Sequence, residues 1–227
     1  MVRHSMPRTD ATAAPSSAPE PSRQRVEKRD LILDAAIKVF ASHGYHGSRV
    51  SDIAREAGIA YGLVYHYFKN KEEILSTIFE ERWGGFLEAV EDIAGSSASS
   101  EDRLVSLAAL VLNAFRLRPD WVKVLVLEIQ RSSRFAEPAQ IEAVGKLFDS
   151  VERIIRAGQE SGELRPELDP GIGVYVFMGA LDLVITSLVL GVTRIEGGER
   201  DERAYHLKVA RTLVEIFLRG LARERSE

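Results

Sequence analysis

From residue 23 onward, apolar side chains recur every three or four positions, and no stretch alternates strictly as a half-buried strand does. In "RQRVEKRDLILDAAIKVFASHG" the pairs Leu31/Ile32, Ala35/Ala36 and Val39/Phe40 set the stripe of a first helix, which Gly44 stops. Ser48 is a candidate N-cap for a short second helix. Its inner face is Val50, Ile53, Ala54 and Ala57, and Asp52 complements its dipole. Gly58 suits the left-handed residue after that helix, so a third must start near Ala60 and end near Phe68. Asn70 then caps a long fourth helix with Glu72 and Glu73 in its first turn. Further helices are predicted at about 101–117, 119–132, 138–161, 170–191 and 200–224, with Pro119, Pro138 and Pro170 at or just before first turns. The expectation is an all-α protein of about nine helices: a three-helix N-terminal unit containing a helix-turn-helix, then a larger helical body.

Composition narrows the picture. The chain has 227 residues, 45% of them hydrophobic and 28% charged, as in a soluble globular protein. It has no cysteine, which excludes disulfides, thiolate metal sites and cysteine nucleophiles. Net charge is −4, but residues 1–75 carry 11 Lys/Arg against 9 Asp/Glu, so the N-terminal part is slightly basic and the remainder acidic. That polarity suits local phosphate contact, not wrapping by nucleic acid. Residues 1–23 hold four of the eight prolines and no apolar core, so they read as a disordered tail and not a signal peptide. The segment 171–191 is barely long enough to span a bilayer and carries Asp182 at its middle; a helix buried on most sides is the expectation. Asp182 then needs a partner, because a buried lone carboxylate is costly.

Enzyme chemistry finds little support. The chain has no Gly-rich phosphate loop, HExxH or GxSxG motif, and His43 and His46 cannot share a helix face across Gly44. Instead "GIAYGLVYHYFKNK", 58–71, gathers three tyrosines, a histidine and two lysines on a short helix after a tight turn. Val64 and Phe68 are spaced for its inner face and Tyr61 and Tyr65 for another. Tyrosine has few rotamers to freeze, and it offers a ring for thymine methyls or sugars and a hydroxyl for phosphates. The alternative is that these rings only join two helices.

"LILDAAIKVFASHGYHGSRVSDIAREAGIAYGLVYHYFKNKEEIL" resembles the DNA-binding domain of the tetracycline-repressor (TetR) family of bacterial transcriptional regulators. The likeness spans about residues 26–75. It implies a DNA-binding domain at 24–72, with the helix-turn-helix at about 50–69, and a ligand-binding and dimerisation domain at 73–227. It also implies that Arg49, Ser51, Tyr61, Gly62, Leu63, Tyr65, His66, Tyr67 and Lys71 line double-stranded DNA. Where the family often has Ser before Lys at the start of the recognition helix, this chain has Ala60 and Tyr61. The resemblance further implies a cytoplasmic homodimer, paired through its last two helices and bound to a palindromic operator, that releases DNA on binding a small hydrophobic effector. No role in the membrane and no metal or catalytic residue is implied.

Candidates for lining an effector pocket are Phe115, Trp121, Leu125, Phe148, Phe177, Met178 and Asp182, though the aromatics equally fit plain core. Arg131 and Arg134, flanking Ser132 and Ser133, suit either an anion or a solvated helix end. The stretches "VLEIQRSSRF", "GELRPELDPG" and "FMGALDLVITSLVLG" resemble the subgroup that represses fatty-acid degradation genes, which implies long-chain acyl-CoA as effector. Two alternatives remain open: a regulator of an efflux or other catabolic operon sensing another apolar ligand, and a non-sensing architectural DNA-binding protein.

Overall fold

The computed structural model describes residues 21–129, 138–192 and 199–221. These hold nine helices and no strand: α1 (Pro21–Gly47), α2 (Val50–Glu56), α3 (Tyr61–Tyr67), α4 (Lys71–Ala94), α5 (Ser100–Leu117), α6 (Pro119–Ile129), α7 (Pro138–Ser161), α8 (Pro170–Val189) and α9 (Glu199–Leu221). The expected tail at residues 1–20, and Arg131 and Arg134, lie outside the described residues. Pro21 opens α1, so residues 21–23 are helical and not tail, as a proline in the first turn permits.

The N-terminal three-helix unit is built around Ile32, Ala36, Phe40, Ile53, Val64 and Phe68, all buried. Leu31 faces solvent, one step off the stripe. The turn of α1 ends at Gly44, whose φ of 71° is the left-handed value that favours glycine. The residues after α2 form the double hydrogen bond that closes a helix on a left-handed glycine. Gly58 N–H donates to Arg55 O (3.2 Å) and Ile59 N–H to Ala54 O (3.0 Å). The chain then re-enters a helix within three residues, and that fixes α3 across α2.

One cap differs from expectation. Arg49, not Ser48, is the N-cap of α2, and the Asp52 carboxylate accepts from its backbone N–H at 3.0 Å. Ser48 is buried and its hydroxyl turns back to donate to Gly44 O at 2.6 Å. The cap expected at Asn70 is present, its side chain accepting from Glu73 N–H (2.8 Å), and Asp169 caps α8 in the same way by accepting from Ile172 N–H (3.0 Å).

α4 links the unit to the body. Its N-terminal half is clasped to α1 by Arg29–Glu81 (2.5 Å) and Arg82–Asp34 (2.9 Å). Further along, the Trp83 indole donates to Ala143 O of α7 at 3.0 Å. Glu91 pairs with Arg153 and accepts from Ser150, which together hold its carboxyl below the usual range. In the body, α5 packs along α9, α7 against α8 and α4, and α6 against both α1 and α8.

α8 is not buried on most sides. It is the one described helix long and apolar enough to cross a membrane, yet only a third of its most apolar window is buried within the protomer. Val174, Phe177, Leu181, Ile185 and Leu188 face inward, whereas Ile172, Tyr175, Val176, Leu183 and Leu190 face outward. Asp182 lies on the exposed side, so the premise of a buried carboxylate does not hold. On α9 the buried line runs through His206, Ala210, Val214 and Phe217, whereas Leu207 is exposed.

Candidate DNA-binding face and effector cavity

Of the nine residues implied for DNA contact, Arg49, Ser51, Tyr61, Gly62, Tyr65 and His66 are exposed on the α2–α3 unit. Val64 at 0% exposure and Phe68 at 3% anchor the opposite side of α3, which obliges residues 61, 62, 65 and 66 to face out. Tyr61 and Tyr65 touch: their hydroxyls are 2.9 Å apart and their rings meet edge to face at 5.2 Å. Ala60, the N-cap, offers no side-chain hydrogen bond, so no hydroxyl cap occupies the start of α3. Leu63 and Tyr67 are half-buried, and Tyr67 packs on the core while its ring meets His66 at 5.5 Å.

Lys71 stands apart. Its ammonium donates to Tyr45 O (2.6 Å) and Ser48 O (2.8 Å), carbonyls at the α1–α2 junction, and lies 4.3 Å from the Tyr45 ring centroid. The side chain therefore reaches into its own protein and braces the first turn of α4 against the helix-turn-helix.

The second feature is a cavity of about 420 Å³ formed between five helices and open on its α8 side. α4 contributes Trp83 and Phe86, and α5 contributes Val111 and Ala114. α6 adds Trp121, Val122, Leu125 and Val126; α7 adds Val144, Leu147 and Phe148. α8 borders it with Met178, Leu181 and Ile185, and its exposed Tyr175, Gly179 and Asp182 line the opening. Its size is typical of sites that take one small molecule, and its wall is apolar except at Asp182 and the polar tips of its aromatic rings. Trp121, Leu125, Phe148, Met178 and Asp182 among the sequence candidates line it. Phe177 does not: one position from Met178, it points a quarter-turn round α8, is fully buried and packs on Phe217 at 5.4 Å. Phe115 is half-buried outside the lining. Trp83 and Phe86 were not among the sequence candidates, although aromatics three apart around Gly84 and Gly85 were a visible signal.

A shallower groove runs between α8 and α9, lined by residues including Val176, Ala180, Val184, Leu213 and Ile216. Among the described residues, no three His, Cys, Asp or Glu side chains gather as metal ligands.

The comparisons follow this division. Residues 32–78 match the model of bacterial regulatory proteins of the tetR family, and residues 79–210 match that of the YsiA-like protein C-terminal region. The fatty acid metabolism regulator protein of Bacillus subtilis is 28% identical over 199 residues, spanning 88% of this chain and 98% of its own. The HTH-type transcriptional repressor NicS of Pseudomonas putida is 30% identical over 149 residues, 65% of this chain and 70% of its own. Among solved structures, FadR from Bacillus subtilis in complex with stearoyl-CoA superposes with a TM-score of 0.72 at 28% identity, covering 84% of this chain and 98% of that one. FadR from Bacillus halodurans gives 0.70 at 29%, covering 82% and 94%. With its helix-turn-helix and apolar cavity, this chain belongs to the tetR family of bacterial regulatory proteins: it is a ligand-responsive, DNA-binding transcriptional regulator and not an enzyme.

Proposed function

We propose that this protein represses transcription in the cytoplasm as a homodimer on a palindromic operator and releases it on binding long-chain acyl-CoA. In this reading residues 24–72 bind DNA and 73–227 bind effector and partner. The α3 face contacts bases and phosphates through Tyr61, Gly62, Leu63, Tyr65, His66 and Tyr67, with Arg49 and Ser51 from the start of α2. Lys71 serves the same face from behind, by setting where α2 and α3 stand relative to α4.

The observation that carries the effector reading is the cavity wall. Trp83, Phe86, Trp121, Leu125, Leu147, Phe148 and Met178 offer hydrocarbon an apolar wall. Each methylene moved into such a space gains about 0.8 kcal/mol, so long chains outcompete short ones steeply. The stearoyl-CoA held by the Bacillus subtilis relative supports the same class of ligand. Within one helix, α4 runs from the Lys71 brace to Trp83 and Phe86, and α6 shares its side chains between the cavity and α1. An occupant that prefers one setting of α4 and α6 therefore biases the DNA-binding units.

The outer face of α8 and the α8–α9 groove supply the dimer contact. Two-fold pairing sets two α3 helices into successive major grooves about 34 Å apart. Selection from a random duplex pool, followed by a salt titration, tests the reading. An enriched palindrome with steep salt dependence supports it, and Tyr65→Ala should then lose tight binding while remaining folded. No enrichment would sink it.

A further inference from the structure

Tyr61 and Tyr65 stand one turn apart on α3, 53% and 45% exposed, with their hydroxyls hydrogen-bonded at 2.9 Å and their rings edge to face. In water such a bond gains little. What it does is hold two aromatic side chains in one geometry before DNA arrives, so less freedom is lost on binding. Tyr61's hydrogen bond also pushes the Tyr65 hydroxyl above its ordinary pKa. A Cβ built on Gly62, between them in sequence, would meet nothing within 4 Å, so nothing on that flank bars a base edge.

Two phenols carry two hydroxyl hydrogens, and one is used inside the pair. The pair therefore presents one outward donor, oxygen lone pairs and apolar ring edges. In the major groove, adenine sets a single acceptor beside a donor, and thymine sets an acceptor beside a methyl group. Guanine instead sets two acceptors side by side; cytosine's amino group adds a donor, but a G·C pair offers no methyl group for the ring edges. We propose that Tyr61 and Tyr65 act as one reading unit that selects an A·T over a G·C base pair at one position of each operator half-site. This rests on the DNA-binding reading of α3 given above.

The test is parallel selection from one random duplex pool by the wild-type protein and by Tyr61→Phe, Tyr65→Phe and the double variant. Phe keeps both exposed rings and removes only the hydroxyls, so the fold is not at stake. The expected result is one position per half-site where wild type prefers A·T by on the order of tenfold, reduced to near parity in the double variant with other positions unchanged. Each single variant should lose most of what the double loses, because either one breaks the pair. Unchanged base preferences with a uniform drop in affinity would place the hydroxyls on phosphates and overturn the proposal. Equal, additive losses from the singles would overturn the pair acting as a unit. Failure of wild type to enrich any sequence would instead remove the DNA-binding reading itself.

Discussion

The Lys71 ammonium and Tyr45 are joined twice: the nitrogen donates to the Tyr45 carbonyl at 2.6 Å and sits 4.3 Å from the centroid of its ring. With the further bond to Ser48 O, this ties the first residue of α4 to the end of α1 and the entry to α2. A lysine at the edge of a DNA-binding face suggests a phosphate contact, but this one is turned inward.

The two roles separate experimentally. A phosphate-binding lysine, when removed, lowers the slope of log K against log salt by about 0.9. A bracing lysine lowers stability, here by about 2 kcal/mol for charge-assisted bonds to half-buried carbonyls. Lys71→Ala is expected to lower the urea midpoint and weaken operator binding while the salt slope stays unchanged. A reduced slope at unchanged stability would restore the phosphate role.

Gly179 lines the cavity, and a Cβ there would meet nothing within 4 Å. Gly179→Leu is expected to stabilise α8 by about 0.5–1 kcal/mol through helix propensity and to fill part of the effector space. Operator affinity and dimer mass should persist while the response to acyl-CoA is lost, as read by DNA binding with and without ligand and by sedimentation. An undiminished response would place the effector elsewhere.

Leu183, 69% exposed on α8, and Ile216, 68% exposed on α9, belong to the apolar surface the protomer leaves uncovered. Leu183→Arg puts a charge on that surface, so the variant should sediment as a folded monomer and lose most operator affinity. A dimer of wild-type strength would move the contact off this face.

His206 is 4% exposed on α9, and neither ring nitrogen has a hydrogen-bond partner among the described residues. Burial lowers its pKa from the usual 6.5; Glu202 on its own helix opposes that shift, and Arg116 on α5 reinforces it. Because the folded pKa is depressed, the unfolded chain binds the proton first. Stability is thus full above about pH 6.5 and falls as pH drops below it, until the folded-state pKa is passed. His206→Leu should be nearly neutral at pH 7.5 and should flatten this decline in urea midpoints between pH 7 and pH 5. An identical pH profile in the variant would clear His206 of the effect.

The helix count and the helix-turn-helix were legible because caps and stops are local. Asn70, Gly44 and Gly58 act within a few residues of themselves, and Val64 with Phe68 orients α3 by simple periodicity. The cavity was legible in part: Trp121, Leu125, Phe148, Met178 and Asp182 line it, yet Phe177, next to Met178, serves the core. A side chain's neighbour across an interior depends on how whole helices are rotated, which pattern along one helix does not set. The same limit hid Trp83, His206 and the inward turn of Lys71, whose partners lie 60, roughly 90 and 26 residues away in sequence. The apolar run of α8 looked like buried core because composition registers apolar surface without recording which molecule covers it.

The most direct test of the central claim is an equilibrium titration of the selected operator with the dimer at rising concentrations of stearoyl-CoA, with free CoA as control. Coupling of the usual size for linked sites predicts a fall in operator affinity of about 5- to 150-fold that saturates with ligand and is absent with CoA alone. A binding curve that does not move at saturating stearoyl-CoA would contradict the account.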